Sequence, residues 1–204
     1  MNILHLYPDS MSLYGESGNV KAIAEMTKKS GETVEIYRAD LDSEPSFGAV
    51  DFVYMGQGTE ENELRALAHL KKYKEPLISY LEGGGRLLAT GNAWEIFGKS
   101  ITYRDKEYEG LKVFDYTTLV GKERLVDECE AHVAAYDVDI VGFSNHSGTV
   151  TGSNNGFTVF TKGRGQSHMY KGFMGTHMIG PILARNEELT KKLLKEVLFA
   201  GREV

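Results

Sequence analysis

Apolar positions change their period along this chain, and the change divides it into two halves. In the first half, short apolar runs alternate with segments whose apolar residues recur every three to four positions. Runs at 3–7, 33–37, 49–55 and 86–90 predict strands, the second strengthened by Thr33, Val34 and Ile36. Segments 18–29, 60–73 and 75–82 predict helices, with Leu64, Leu67 and Ala68 on one side of the second. Gly83-Gly84-Gly85 stops the third, because glycine readily takes the left-handed cap conformation. Alternation of this kind predicts a three-layer, flavodoxin-like α/β fold, a mostly parallel sheet with helices on both faces.

The second half is dominated by short strand-like runs. Residues 100–103 and 106–110 flank Arg104-Asp105 as a hairpin. Further strands are expected at 112–117, 124–131, 139–143, 157–161 and 173–178, giving antiparallel additions in this half. Gly-, Ser- and Asn-rich stretches between several of them read as turns. A last helix over 187–199 carries Leu189, Leu193, Leu194 and Val197 on one face. No linker or repeat interrupts the 204 residues, so a single domain over 1–204 is expected.

Charge and composition narrow the partners. Lys and Arg number 23 against 29 Asp and Glu, a formal charge of −6, the wrong sign for nucleic acid. The single cysteine, Cys129, excludes an internal disulfide and points to a reducing, cytoplasmic setting. Its acidic neighbours Glu128 and Glu130 disfavour a thiolate, so it reads as incidental. No basic, apolar leader opens the chain, and nothing approaches the roughly 20 apolar residues of a membrane span. His5, His69 and His132 are scattered and His168 falls in a turn, so no metal site is expected. Neither a GxGxxG nor a P-loop pattern occurs, and no cofactor is expected.

Ligands of parallel sheets gather beyond the carboxyl ends of the strands. Four glycine-marked turns are candidates: Tyr14 to Asn19, Gly56-Gln57-Gly58, Gly91-Asn92-Ala93, and Gly175 to Pro181. The third follows strand 86–90 and precedes a helix expected to start near Ala93. That is the layout of a nucleophile elbow, with a Ser or Cys on a strained turn. Here the turn holds no nucleophile, and Gly91 is expected at positive φ.

Five motifs in order resemble the class I glutamine amidotransferases of the cobyric acid synthase branch. Within it they are most similar to the glutaminase-type subunits of lipid II isoglutaminyl synthases. The family's Leu-Tyr-x-Asp-x-Gly-Asn resembles Leu13-Tyr14-Gly15-Glu16-Ser17-Gly18-Asn19, and its triple-glycine oxyanion loop resembles Gly56-Gln57-Gly58. Its Cys-Gly-Gly-Tyr-Gln segment matches Gly91-Asn92-Ala93-Trp94-Glu95. Its Gly-Phe-Glu-Asn-His-Gly-Gly matches Gly142-Phe143-Ser144-Asn145-His146-Ser147-Gly148. Its Gly-Thr-Tyr-Leu-His-Gly-Pro matches Gly175-Thr176-His177-Met178-Ile179-Gly180-Pro181.

The resemblance implies that the cysteine nucleophile falls on Gly91, the histidine on Ile179 and the acid on Glu16. Neither hydrogen nor an alkyl group can replace a thiolate or its base, and losing one such member costs on the order of a millionfold. Gly56, Gln57 and Gly58 are expected to line the pocket and offer oxyanion donors. Asn92, Trp94, Glu95, Arg124, Asn145, His146 and His177 are expected to line it too, His177 sharing a strand face with Ile179. Gly91→Cys combined with Ile179→His is expected to bring thiol and imidazole into reach.

A catalytically degenerate subunit is therefore implied. Its partner would be a Mur-ligase-like synthetase or a corrinoid amidation enzyme, its ligand a glutamine-like small amide. The alternative is an enzyme with reassigned chemistry, in which Glu16, Asn92, Glu95, His146 and His177 act on another substrate. A flavodoxin-like nucleotide or flavin binder rests on fold analogy alone.

Overall fold

The computed structural model describes residues 1–199. The alternating half consists of β1 (Asn2–Leu6), α1 (Gly18–Lys29), β2 (Glu35–Ala39), β3 (Phe52–Met55), α2 (Glu60–Leu70), α3 (Lys74–Glu82) and β4 (Arg86–Thr90). Then come β5 (Ser100–Tyr103), β6 (Lys106–Glu109), β7 (Thr117–Val133), β8 (Val138–Thr151) and β9 (Val159–Lys162). The chain continues through β10 (Ser167–Tyr170), β11 (Phe173–Thr176), β12 (Met178–Ile179), α4 (Ile182–Arg185) and α5 (Glu187–Phe199). No helix among the described residues is long and apolar enough to cross a membrane.

The first sheet has the order β10-β11-β4-β3-β1-β2, parallel throughout except for β10 against β11. Strands β1, β3 and β4 are buried along almost their whole length, as a parallel sheet covered on both faces requires. Successive side chains point to opposite faces, so neighbours in sequence serve different cores. Ile3, Phe52, Tyr54 and Leu88 pack with Val20 and Ile23 of α1 and with Leu189 and Leu193 of α5. Leu4, Val53, Leu87 and Ala89 pack with Ala66, Leu67 and Leu70 of α2 and with Leu77 and Leu81 of α3.

The remaining strands form a second sheet, β12-β8-β7-β5-β6, with β9 on β7. Strands β7 and β8 are one hairpin, and the expected strands 124–131 and 139–143 are fragments of it. The motif 142–148, of which only 142–143 are expected as strand, lies wholly inside β8. Its glycines mark close approaches rather than turns. A Cβ on Gly142 would collide with Met178, and one on Gly148 with the carboxylate of Glu95. Buried Cys129, Ala131 and Ile140 of this sheet join the core that holds Ile3 and Val20.

Several boundaries differ from those expected. Residues 112–116 form no strand, because Lys112 takes φ 55° and breaks the extension before β7. The second strand moves to 35–39, in register with β1, and β3 begins only at Phe52. Helix 60–73 ends at Leu70 and tightens into a 3-10 turn over Lys71–Tyr73. The run 157–161 pairs over 159–162, and 173–178 divides at His177 into β11 and β12. Strand β10 is an addition to the expected elements, and His168 lies on it rather than in a turn. The segment after β4 is a 3-10 helix, Gly91–Phe97, starting at Gly91 itself with all its residues buried.

Candidate functional site

Strand β4 delivers the chain to Gly91, which takes φ 64°, a conformation that strains any residue with a Cβ. The loop after β3 passes over this turn and lays Gln57 on it. A Cβ at residue 91 would fall inside contact distance of Gln57 Cβ and Oε1. The space a nucleophilic side chain needs is thus filled by an amide. That amide is anchored, because Gln57 Nε2 donates to the Asn145 carbonyl at 2.7 Å.

Glu16 lies beneath the turn, fully buried. Its Oε1 accepts from Gly180 N–H at 2.9 Å, and its Oε2 accepts from Tyr54 Oη–H at 2.8 Å and from the Thr90 hydroxyl. Thr90 precedes Gly91 and Gly180 follows Ile179, so one carboxyl group touches the flanks of both residues. Burial raises its pKa, and the hydrogen bonds from Thr90, Gly180 and Tyr54 oppose the rise. Ile179 is fully buried on β12 opposite Phe143.

Above the turn, Asn92 closes the 56–58 loop. Its Oδ1 accepts from Gly58 N–H at 3.1 Å, and its Nδ2 donates to the Gly58 carbonyl and to Glu63 Oε2. Arg124 donates to Asn145 Oδ1 at 3.1 Å and pairs with Glu60. The enclosed cavity between these groups measures about 10 Å³, room for about one water and far too little for an amino acid.

Residues 2–186 match the family model of the CobB/CobQ-like glutamine amidotransferase domain. The chain belongs to that family. It is 29% identical, over 96% of its length and 84% of the relative, to the GatD subunit of lipid II isoglutaminyl synthase (glutamine-hydrolyzing) from Staphylococcus aureus (strain N315). The same subunit from Streptococcus pneumoniae (strain ATCC BAA-255 / R6) is 27% identical over 97% of this chain and 80% of the relative. A crystal structure of a glutamine amidotransferase from Thermotoga maritima superposes with a TM-score of 0.58 at 10% identity, covering 100% of this chain and 86% of that one. At so low an identity, this last likeness shows the fold alone.

Within this amidotransferase fold, several expectations about the site need correction. Gly58 N–H is bonded to Asn92 and cannot serve as a free oxyanion donor. Gly56 backs onto the Met11 carbonyl and the Tyr54 hydroxyl, away from the cavity. Trp94 also lies outside it, packed against Tyr116 and beneath the ring of His177 at 5.0 Å. A thiol introduced by Gly91→Cys would first require Gln57 to move. Of the remaining expected residues, Gln57, Asn92, Glu95, Arg124 and His146 line one cavity, whereas Asn145 and His177 lie beside it, bonded to Arg124 and to Glu95 respectively.

His177 follows β11 and is fully buried. Its Nδ1 accepts from Gln166 N–H at 3.2 Å, so Nε2 carries the proton and donates to Glu95 Oε1 at 3.0 Å. Its ring stacks on His146 at 3.7 Å. His146 Nδ1–H donates to the Gly148 carbonyl at 2.8 Å, leaving its Nε2 as a lone pair. Burial, helped by His177, holds the His146 imidazole down to about 4, and burial holds His177 down to about 3. Both are neutral at pH 7. Burial pushes Glu95 up to about 8 and Glu63 well above its usual value.

The scatter of histidines in the sequence predicts no metal site, yet folding brings ligand atoms of Glu95, His146 and His177 within 4.8 Å of one another. Glu63 escapes notice in the sequence because Glu60-Glu61-Asn62-Glu63 reads as the acidic first turn of a helix. A signal did exist. Glu63 lies three, four and seven residues before Ala66, Leu67 and Leu70, on the buried face of α2.

Proposed function

We propose that this chain is an amidotransferase-like subunit that does not hydrolyse glutamine and that docks on an ATP-dependent, Mur-ligase-like synthetase. The observation that carries this reading is Gln57 lying in the space of the missing nucleophile, over a cavity that holds about one water. A glutamine-like ligand finds no room there, so partner docking is better supported than amide binding. The GatD relatives are subunits of a lipid II isoglutaminyl synthase, which favours a cell-wall partner over a corrinoid one. The single buried thiol fits work in a reducing cytoplasm.

Affinity capture from the native cell, followed by reconstitution from purified components, tests the reading. We expect an ATP-dependent amide-forming ligase to copurify and to form a stable 1:1 complex with the recombinant chain. Purified ligase that shows no association with this chain at micromolar concentrations contradicts it. Reassigned chemistry is the second reading, and the buried Glu95, His146 and His177 cluster is what favours it.

A further inference from the structure

Among the described residues, eight that carry a Cβ take positive φ, and two of these are aromatic. Such a conformation strains an L-residue and persists only where the surroundings hold it. Arg104, Asp105, Asp137 and Lys171 lie in the turns of hairpins, where a positive φ is part of the turn. Tyr7 is fully buried, and its hydroxyl meets His69 Nδ1 at 3.1 Å. Tyr14 has no such compensation. It takes φ 57° yet stands 51% exposed, beside Leu13 at 37%.

The loop around Tyr14 is built to hold it there. The Ser12 and Ser17 hydroxyls meet at 2.6 Å, and Ser17 N–H donates to Ser12 Oγ at 3.1 Å. Glu16 N–H donates to the Leu13 carbonyl at 3.2 Å, and Gly15 continues the left-handed turn at φ 77°. Leu13 N–H donates to the Gln57 carbonyl at 2.9 Å, so the loop rests on the residue that fills the space at Gly91. Acids flank it. Asn62 Nδ2 donates to the Ser10 carbonyl at 2.9 Å and ties the start of α2, with Glu60 and Glu61, to this loop. Glu60 pairs with Arg124, whereas Glu61 is exposed and has no ion-pair partner among the described residues.

We infer that Tyr14, with Leu13 beside it, is the anchor by which this chain docks on its synthetase, entering an apolar pocket with a basic rim. The inference rests on the docking reading and gives it a surface. Tyrosine offers a large contact area with only two side-chain torsions to order, and a few such anchors carry most of the binding energy of an interface. The clasp between Ser12 and Ser17 holds the loop in one shape before binding, which lowers the entropy lost on docking. Glu61 beside the loop and a formal charge of −6 set the sign of the complementary surface. In the isolated chain the strain at Tyr14 is not offset by burial of its ring. Burial of the ring in a partner supplies that stabilisation.

The purified ATP-dependent ligase, titrated with the full chain by calorimetry and mixed with it by stopped flow, tests the inference. We expect Tyr14→Ala to weaken the complex about 30-fold or more. Tyr14→Gly should weaken it as much while raising Tm by about 2 °C, since glycine takes this φ without strain. A residue that served only the fold would lower Tm and leave affinity unchanged. Glu61→Lys should slow association several-fold at low salt and hardly at all at high salt. Amide exchange at Tyr14 and Gly15 should slow in the wild-type complex, a readout that needs no variant. Unchanged affinity in the folded Tyr14 variants, a fall in Tm for Tyr14→Gly, or unprotected amides at 14 and 15 would each overturn the inference while the docking reading stands. A ligase that does not associate with the wild-type chain overturns both.

Discussion

We propose that Gly91 and Gln57 are an exchanged pair. The resemblance places a cysteine at one position and a glycine at the other; here the glycine and the larger side chain have traded places, and Gln57 fills what Gly91 leaves open. Gly91→Cys alone should destabilise the fold by about 2–5 kcal/mol, combining about 1–2 for a Cβ at positive φ with about 1–3 for overpacking. Adding Gln57→Gly should recover the overpacking part. A double-mutant cycle by urea denaturation should therefore show coupling of about 1–3 kcal/mol, and strict additivity would contradict the exchange. Motif order makes Gly91, Gln57, Glu16 and His146 legible in the sequence. The contact between Gln57 and Gly91 is not legible there, because it depends on how the loop after β3 crosses the end of β4. Glu63 is hidden for a similar reason, as an acid in an acidic turn acquires meaning only when its helix face is buried.

At the level of elements, the alternating half is legible because buried parallel strands and amphipathic helices have distinct apolar periods. The hairpin β7-β8 breaks into pieces when read from sequence, since glycine in a strand looks like a turn until its close neighbours are known. Strand β10 escapes for being short and half-exposed at the sheet edge, and with it the setting of His168. That imidazole packs against Phe114 at 4.6 Å and Tyr116 at 5.0 Å, and burial alone holds its pKa down to about 4. The sign of the pH effect follows. Above about pH 6.5 neither folded nor unfolded chain protonates this residue. Between about 6.5 and 4 the unfolded chain binds a proton that the folded one refuses, so stability falls as pH falls. His168→Phe should remove that contribution, so wild type loses more stability than the variant between about pH 7 and pH 4.5 in matched urea titrations. Equal losses would show that the ring is protonated in the folded state.

For the whole molecule, the two sheets hold the five motifs around Glu16, Gly91 and Gly180 as an amidotransferase fold does. Where the resemblance implies a thiol site, their meeting point holds a closed cluster of buried carboxylates and imidazoles. The fold is legible because its strand order is written in long apolar runs and in motif order. The closure is not, since it arises from side chains meeting across loops that are far apart in sequence. The proposed function turns on one claim, that this chain does not hydrolyse glutamine. The direct measurement is ammonia release from glutamine by the purified chain, alone and together with its reconstituted synthetase. We predict no release above a protein-free blank in either case. Steady release that survives removal of contaminating glutaminases, and that Glu95→Gln abolishes, would contradict the claim.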